Sequence, residues 1–319
     1  MSSNFTVIYN YQNSVNVISA VFNFVFGIFG VICNFNIISI FLTSTERTSF
    51  NLICFSRAFV NFYILLSSFL FYSYHPLFCK GYSIFSQALE SWNINLSMSL
   101  YLGNEYQIIL VALNRFFALF FPQFYSKIFA IKPSLIVICL FYVYRLTIVI
   151  YMTAKDVARD CFYSFFPITF AWQYPPNEEC LFEDNIILII LITFFCTTIL
   201  NIVTFLKIIQ FYMSMRIHDR ETQRRIKNKA VLFLQTILQD SLYIIDLSFT
   251  FKLNELSQHR MWTSFSGTLV WETLHALDGF IMLMFNDGFS LSCRFRDSPE
   301  TSTTAVPRRT PIYPLGSVG

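Results

Sequence analysis

The stretch Asn114-Arg115-Phe116-Phe117-Ala118-Leu119-Phe120-Phe121-Pro122-Gln123-Phe124-Tyr125 places an arginine where a long apolar segment ends. A proline follows seven residues after the arginine, and a tyrosine ten residues after it. A charged side chain at membrane depth is costly, so it must face protein or water. The ordinary explanation of a lone arginine here is snorkelling, in which the charge reaches the head-group zone. The fixed offsets of Pro122 and Tyr125 favour a more specific role for Arg115.

The composition places the chain among membrane proteins. Of its 319 residues, 55% are hydrophobic and only 13% are charged, and the mean hydropathy is +0.53. These values exclude an ordinary soluble domain. The 39 phenylalanines have no polar group to satisfy, so they suit a surface that faces lipid. The low charge content, without a basic stripe, argues against nucleic acid as a partner.

Seven apolar runs are long enough to cross a bilayer, which takes roughly 20 residues of helix. We therefore expect an all-α fold, a bundle of seven transmembrane helices. No internal repeat is visible, which disfavours an inverted-repeat transporter. The predicted spans are approximately 17–42, 52–74, 92–121, 134–152, 185–212, 230–253 and 262–285.

The distribution of lysine and arginine sets the orientation. With the amino terminus outside, the inner segments hold fifteen of these residues and the outer segments five, while Arg57 and Arg145 fall within helices. The loop between helices four and five is acidic instead. The charge count therefore predicts an outer amino terminus and an inner carboxyl terminus.

Three regions follow from this orientation: an extracellular amino terminus at 1–16, a membrane domain of seven helices at 17–290 and a disordered cytoplasmic tail at 291–319. The tail is rich in Ser, Thr and Pro, as disordered segments often are. The first 17 residues carry no Lys or Arg, so we expect the first helix to act as an uncleaved signal anchor. Asn4 begins a glycosylation sequon on the predicted outer side.

Polar residues inside the predicted helices share faces. Asn104 lies eleven residues before Arg115, close to three helical turns, and Arg57 and Asn61 lie one turn apart. Buried polar groups in lipid must be paired, so these side chains are expected to bond between helices. Such bonds either merely hold the bundle or form a network with two arrangements, as a switch requires. Two further stripes are Trp271, His275 and Asp278 in helix seven, and Gln235, Gln239 and Asp246 in helix six.

The stretch at Arg115 resembles the end of the third helix in rhodopsin-like G-protein-coupled receptors. There, Asp-Arg-Tyr is followed by Pro and Tyr at the same offsets; here Asn114 replaces the acid and Phe116 replaces the tyrosine. The resemblance implies that Arg115, Asn114, Pro122 and Tyr125 serve coupling to a G protein. Since the acid helps to hold the resting state in that family, its absence predicts altered basal activity.

Other helices resemble the same family with departures. Asn34 lies near the position of the first-helix Asn, and Asn61 stands where helix two carries an Asp. Asp278 begins a degraded form of Asn-Pro-x-x-Tyr that lacks the Pro and the Tyr, and helix six lacks Trp-x-Pro. Arg57 is a further departure. The resemblance implies a polar switch network of Asn34, Asn61, Asn104, His275 and Asp278.

Several longer strings resemble the nematode serpentine chemoreceptors of class X, over about 21–285. This resemblance implies a chemoreceptor of chemosensory cells, located in the plasma membrane and in sensory cilia. Ligands are mostly unknown in that family, so it names none. The strings are Thr48-Ser49-Phe50-Asn51-Leu52-Ile53-Cys54, Tyr101-Leu102-Gly103-Asn104-Glu105-Tyr106-Gln107, Asn114-Arg115-Phe116-Phe117-Ala118, Asn201-Ile202-Val203-Thr204-Phe205-Leu206-Lys207, Leu238-Gln239-Asp240-Ser241-Leu242-Tyr243 and His275-Ala276-Leu277-Asp278-Gly279-Phe280.

The rhodopsin-like resemblance also implies a disulfide between the top of helix three and the second outer loop. The expected helix-three position is Glu90, so no cysteine stands there. Cys79 could substitute from the preceding loop with Cys161 or Cys180 as its mate, and we favour this pairing slightly over Cys161–Cys180. The eight cysteines show no CxxC or Cys/His spacing, which disfavours a metal site.

The sequence therefore predicts a chemosensory receptor that binds a small ligand from outside and activates a heterotrimeric G protein. The aromatic and polar residues Tyr101, Trp271 and Glu272 are the candidate pocket, and the many phenylalanines suggest a largely apolar ligand. The alternative is a ligand-gated channel or a transporter, although no helix has a polar face over its whole length. A retinal receptor would need a Schiff-base lysine in helix seven, which 262–285 lacks. We expect no enzyme activity, cofactor or metal, since no nucleophile–base pair or phosphate loop appears.

Overall fold

The computed structural model describes residues 14–45, 48–70, 86–166, 171–173, 180, 186–214, 220–257 and 259–285. Within these residues, seven long helical segments follow one another along the chain. A two-stranded antiparallel hairpin lies between the fourth and fifth segments. The expected architecture, an all-α bundle of seven helices, is therefore present, with the hairpin added to it in the described part.

Each predicted run corresponds to one helix. The seventh is continuous but changes type: an α-helical turn, a π-helical stretch and a longer α-helix follow one another. A short helix, Pro122–Ile128, follows the third. The helices are α1 Ser14–Thr43, α2 Ser49–Ser68, α3 Gln87–Phe120, α4 Ile131–Arg159, α5 Ile186–Ser214, α6 Arg220–Phe251 and α7, made of Arg260–Thr263, Ser264–Leu269 and Val270–Met284.

Local chemistry sets several helix boundaries. The Thr48 hydroxyl accepts the backbone N–H of Asn51 at 3.1 Å, and Ser86 accepts that of Leu89 at 3.3 Å. These caps satisfy donors that the first turns of α2 and α3 would otherwise leave open. The helix α6 begins at Arg220, ten residues before the predicted run, because an apolar run marks only the part of a helix that lies in lipid.

Among the described residues, four helices are long and apolar enough to cross a membrane by length and composition: Val17–Thr43, Ser49–Ser68, Ile131–Arg159 and Ile190–Phe211. In α4, for example, the apolar side chains face away from the bundle: Leu140, Val143 and Tyr151 are each more than 60% exposed. The helix α3 is more polar, and its polar residues lie inside the bundle, among them Asn104 and Glu105. It packs against α2, α4, α5 and α6 and thus lies at the centre of the bundle.

The helices α1 and α7 run side by side in one direction, with a nearly constant offset between facing residues. Glycines make this close approach possible: a Cβ at Gly30 would lie 2.7 Å from the Ala276 Cβ. A Cβ at Gly279 would overlap the amide of Asn34. The facing pairs along this seam, from the outer to the inner end, are Ser19–Ser264, Gly27–Glu272, Gly30–Ala276 and Asn34–Gly279.

The second outer loop is tied to the end of α4. Asp160 ends that helix in the left-handed conformation, with φ of 55°, and the Cys161 N–H bonds the Asp156 carbonyl at 2.9 Å. Strands β1 (Ser164–Phe166) and β2 (Ala171–Gln173) then pair as a hairpin. Cys161, before the hairpin, and Cys180, after it, form a buried disulfide.

This disulfide corrects the pairing that we favoured from the sequence. The expectation of Cys79 bonded to Cys161 or Cys180 is wrong, because these two cysteines bond each other; the alternative pairing is the one present. Cys79 itself lies outside the described residues. The loop also contacts α3, because the Tyr163 N–H donates to the Ser91 hydroxyl at 3.4 Å. Burial raises the pKa of the Tyr163 hydroxyl.

Candidate functional site

A cavity of about 580 Å³ opens among the inner ends of the helices. It is lined by residues of every long helix except α4, together with the short helix that follows α3. Most of its lining is apolar, with Phe50, Phe233 and Met282 among the wall residues. Among the described residues of this lining, Arg115 is the one cation.

The guanidinium of Arg115 makes few polar contacts. Its two terminal nitrogens, Nη1 and Nη2, are buried and have no hydrogen-bond partner in the described part of the chain. Its nearest compensation is the ring of Phe50, whose centroid lies 5.1 Å from the guanidinium carbon. A cation over an aromatic face is attracted to it, although more weakly than to a carboxylate. Arg115 therefore has unused donors that point to a missing partner.

Asn114 does not provide that partner. Its amide nitrogen donates to the Ser49 hydroxyl at 3.0 Å, and its amide oxygen accepts a long bond of 3.5 Å from Tyr125. The Ser49 and Tyr125 hydroxyls are themselves 3.4 Å apart. Pro122 begins the helix that carries Tyr125. Asn114 and Tyr125 thus join α3 to the start of α2, while Arg115 is left to the cavity.

A second polar group lies at the middle of the bundle around the carboxylate of Asp278. Three donors from two other helices bind it: Arg57 Nη2 at 2.8 Å and Asn61 Nδ2 at 2.7 Å from α2, and Gln239 Nε2 at 2.6 Å from α6. Both members of the Arg57–Asp278 ion pair are buried, at 2% and 0% exposure. In lipid, where no water can replace these bonds, such pairing is what makes a buried charge tolerable.

The network continues from Asn61 to three further helices. The amide oxygen of Asn61 accepts bonds from Asn104 Nδ2 at 2.9 Å and from His275 Nδ1 at 2.8 Å. Asn34 in α1 donates to the His275 carbonyl at 3.3 Å. The structure thus brings together all five residues predicted for a polar network: Asn34, Asn61, Asn104, His275 and Asp278. Arg115 is not bonded to them.

Towards the outer side, aromatic rings meet above this network. The Tyr101 ring lies 4.4 Å from Trp271 and edge-on to His275 at 5.8 Å. The Tyr101 hydroxyl donates to Asp246 Oδ2 at 2.5 Å. Two of the three residues predicted for the ligand pocket, Tyr101 and Trp271, therefore lie in contact at the centre of the outer half.

Glu272, the third predicted pocket residue, faces elsewhere. It is fully buried against Gly27 of α1, and neither carboxyl oxygen has a hydrogen-bond partner in the described part. Asn23, one turn before Gly27, is also buried with both side-chain polar atoms unpartnered. The π-helical stretch Ser264–Leu269 lies directly before this part of α7. Glu272 belongs to the α1–α7 seam and not to the ring cluster.

Other predicted sites cannot be placed. Asn4 and Cys79 lie outside the described residues, as do the amino-terminal region 1–13 and the tail from 286. No group of three or more His, Cys, Asp or Glu side chains that could hold a metal occurs among the described residues.

The predicted sites leave out four of the important side chains. Arg57 departs from the family pattern and shares a helix face with Asn61, and that spacing is the signal for its role as the counter-ion of Asp278. Gln239 and Asp246 lie on one stripe of α6, a pattern that does not name their partners. Glu105, buried at 4% exposure, lies one turn from Tyr101, and that spacing would have placed it beside the pocket.

The arrangement has three regions: an inner cavity with Arg115 in its wall, a central hydrogen-bonded network that joins α1, α2, α3, α6 and α7, and an outer aromatic and acidic cluster. The central network contacts the outer cluster through His275. It lies within one helical turn of the cavity-lining residues Cys54, Gln235 and Met282, so a change at one end can be transmitted through it to the other. That layout suits a receptor that carries a signal across a membrane, and it does not favour a channel or a transporter.

Comparison with known proteins gives the same answer. Residues 24–286 match the family model described as serpentine type 7TM GPCR chemoreceptor Srx. The chain is 28% identical over 265 residues to serpentine receptor class X 45 of Caenorhabditis elegans, which covers 73% of this chain and 70% of that protein.

The fold has a match among solved structures. The crystal structure of squid rhodopsin aligns with a TM-score of 0.66 and covers 88% of this chain and 85% of that chain, at 15% sequence identity. At that identity the likeness concerns the fold alone, a rhodopsin-like bundle of seven helices. With the family model matching most of its length, this chain belongs to the Srx family of seven-transmembrane G-protein-coupled chemoreceptors.

Proposed function

We propose that this receptor binds a small chemical ligand in the outer half of its bundle and activates a heterotrimeric G protein through the inner cavity. The observation that carries the proposal is the unpartnered guanidinium of Arg115 in the wall of that cavity. A buried charge without a partner is costly in a membrane protein and marks a functional position. The missing partner is best supplied by a protein that enters from the cytoplasm.

Coupling would proceed by widening of the cavity. The inner parts of α5 and α6 contribute Thr204, Ile208, Phe233 and Gln235 to its wall. When these helices move apart, Arg115 can donate to backbone carbonyls at the carboxyl-terminal helix of a Gα subunit. The basic stretch from Arg216 to Lys229 would add attraction to that subunit or to anionic lipid, worth about 1 kcal/mol per residue near the surface.

The ligand would reach the ring cluster from the outer side. Tyr101 and Trp271 lie in contact there, and Tyr101 and Trp271 both border His275, which is bonded to the central network. A ligand that moves either ring would therefore disturb the bonds around Asn61. This path supports Tyr101 and Trp271 as pocket residues, whereas Glu272 would act only through the α1–α7 seam.

The cellular setting follows from the same function. We place the receptor in the plasma membrane of chemosensory cells, in their cilia, with the amino terminus outside and the tail inside. The charge count along the sequence supports this orientation, and glycosylation at Asn4 would be consistent with it.

The experiment is an agonist screen in cells that express the full-length receptor, with cyclic-nucleotide and calcium readouts. For any active compound, Arg115→Ala should abolish the response at unchanged surface density. Lys127→Ala is the matched control, because Lys127 carries the same charge on the inner side and lies exposed outside the cavity lining. A full response from Arg115→Ala at normal surface density would reduce the arginine to a lipid anchor and remove the proposed coupling site.

A further inference from the structure

The two acidic side chains beside Tyr101, Asp246 and Glu105, have no ion-pair partner in the described part. Asp246 is 2% exposed and Glu105 4% exposed. Asp246 binds the Tyr101 hydroxyl, and Glu105 lies one helical turn from Tyr101 on α3. In the described part, the hydrogen bond that Asp246 accepts comes from the Tyr101 hydroxyl, and Glu105 Oε1 has no partner.

One hydroxyl cannot satisfy both carboxyl groups. The Tyr101 hydroxyl interacts with Glu105 as well as with Asp246, but it has a single hydrogen to donate. Arg57, whose charge also reaches Glu105, is already bonded to Asp278. Two buried acids therefore share one neutral donor, which is an arrangement that a membrane interior does not tolerate without a further cation or proton.

A second helix adds an unsatisfied polar atom at the same place. The hydroxyl of Tyr243 in α6 is buried and has no partner at hydrogen-bond distance in the described part. Its ring lies 6.2 Å from that of Tyr101, and the guanidinium carbon of Arg57 lies 5.5 Å from its centroid. Unpartnered polar atoms on α3 and α6, with aromatic rings beside them, indicate an absent polar occupant.

We propose that this cluster, formed by Tyr101, Glu105, Tyr243, Asp246 and Trp271, binds the protonated amino group of a small organic amine. The carboxylates of Glu105 and Asp246 accept its N–H donors, because ionised acceptors form the strongest such bonds. The rings of Tyr101, Tyr243 and Trp271 surround the cation and its apolar body, since aromatic faces attract cations. This inference rests on the proposed function and specifies its ligand: an amine with an apolar or aromatic body, not a wholly apolar compound.

The test measures binding without requiring a G protein. Purified full-length receptor in detergent is heated with each of three matched series: amines (hexylamine, phenethylamine), neutral alcohols (hexanol, phenethyl alcohol) and carboxylates (hexanoate, phenylacetate). A ligand that binds only the folded receptor raises its melting temperature. We expect at least one amine to raise it, and its matched alcohol and carboxylate to leave it unchanged.

Two substitutions locate the effect. In Asp246→Asn and Glu105→Gln, the apparent affinity for that amine should fall roughly tenfold or more, as expected when a charge-assisted hydrogen bond becomes neutral. Asp156→Asn is the matched control: it is a buried acid of α4, bonded to Ser91 and Asn95 at 2.9 Å each, and it lies outside the cluster. That variant should bind the amine as the wild type does.

The contrary outcomes are equally specific. The inference is overturned if no amine of the series raises the melting temperature, if the matched alcohol does so equally, or if the amine effect survives in Asp246→Asn and Glu105→Gln. A receptor stabilised by acidic buffer and by no amine would hold a proton in place of the ligand, which also overturns it. A neutral agonist that signals through Arg115 would leave the coupling proposal intact while removing the amine.

Discussion

Two sets of buried acidic side chains lie within a few helical turns of each other, and they differ in the hydrogen-bond donors that they receive. Asp278 receives three donors, including the guanidinium of Arg57. Asp246 receives a single hydroxyl, and Glu105 and Glu272 have oxygens with no partner in the described part. A compensated acid holds the bundle, whereas an uncompensated acid costs stability. The comparison separates Asp278 from Asp246 and Glu105, which belong to the proposed ligand cluster, and from Glu272, which lies in the α1–α7 seam.

The compensated acid should be the more damaging to remove. Asp278→Ala leaves Arg57 buried in lipid without its counter-ion, and breaking such a pair costs about 3–5 kcal/mol. We expect little receptor at the cell surface and a large fall in the melting temperature of what can be purified. Surface labelling and thermal melting measure both.

A paired substitution distinguishes charge from packing in that result. Arg57→Met combined with Asp278→Asn removes both charges together, so it should recover part of the lost stability. Wild-type stability in Asp278→Ala would show that the ion pair does not hold the bundle, and the comparison would lose its first half.

Arg115 presents the opposite case, a cation whose terminal nitrogens bond no carboxylate in the described part. In Asn114→Asp, a carboxylate stands beside it, and an ion pair of this kind is worth about 1 kcal/mol at most when partly exposed. We expect lower basal guanine nucleotide exchange in membranes that contain the receptor and a G protein, because the pair favours the resting state.

The competing arrangement for this variant is already visible. Ser49 and Tyr125 bond the side chain at position 114, and both hydroxyls can donate to a carboxylate. Unchanged basal exchange in Asn114→Asp would mean that the new acid stays with these hydroxyls and leaves Arg115 unpaired.

The smallest effect is expected at Glu272. Because its carboxyl has no partner in the described part of the chain, Glu272→Gln removes a cost and no bond. Its melting temperature should equal or slightly exceed that of the wild type, whereas Asp278→Asn should lower it. A loss in Glu272→Gln as large as in Asp278→Asn would contradict the distinction between the two sets of acids.

The sequence predicted the helices well because their signal is local. Apolar runs of sufficient length indicated each helix, and the more polar ends lay outside the runs, most of all the charged start of α6 at Arg220 and the end of α4 at Arg159. The residues of the central network were also predictable, since Asn61, Asn104, His275 and Asp278 each lie on the inward face of a helix. Such faces follow from helical spacing alone.

What could not be predicted depends on how distant segments meet. The Cys161–Cys180 disulfide depends on the path of the outer loop, which turns at Asp160 and returns through the hairpin. The pairing of Arg57 with Asp278 depends on α2 and α7 lying next to each other in the bundle. The separation of Glu272 from Trp271, adjacent in sequence but facing different helices, depends on the rotation of α7 against α1.

The most direct test of the account is whether Arg115 receives a G protein in the inner cavity. A fluorescent peptide with the sequence of a Gα carboxyl-terminal helix is titrated against purified receptor, and its binding is followed by anisotropy. We expect the peptide to bind wild type and Lys127→Ala alike, and Arg115→Ala roughly tenfold or more weakly, because charged hydrogen bonds are lost. Equal binding to wild type and Arg115→Ala would contradict the central claim.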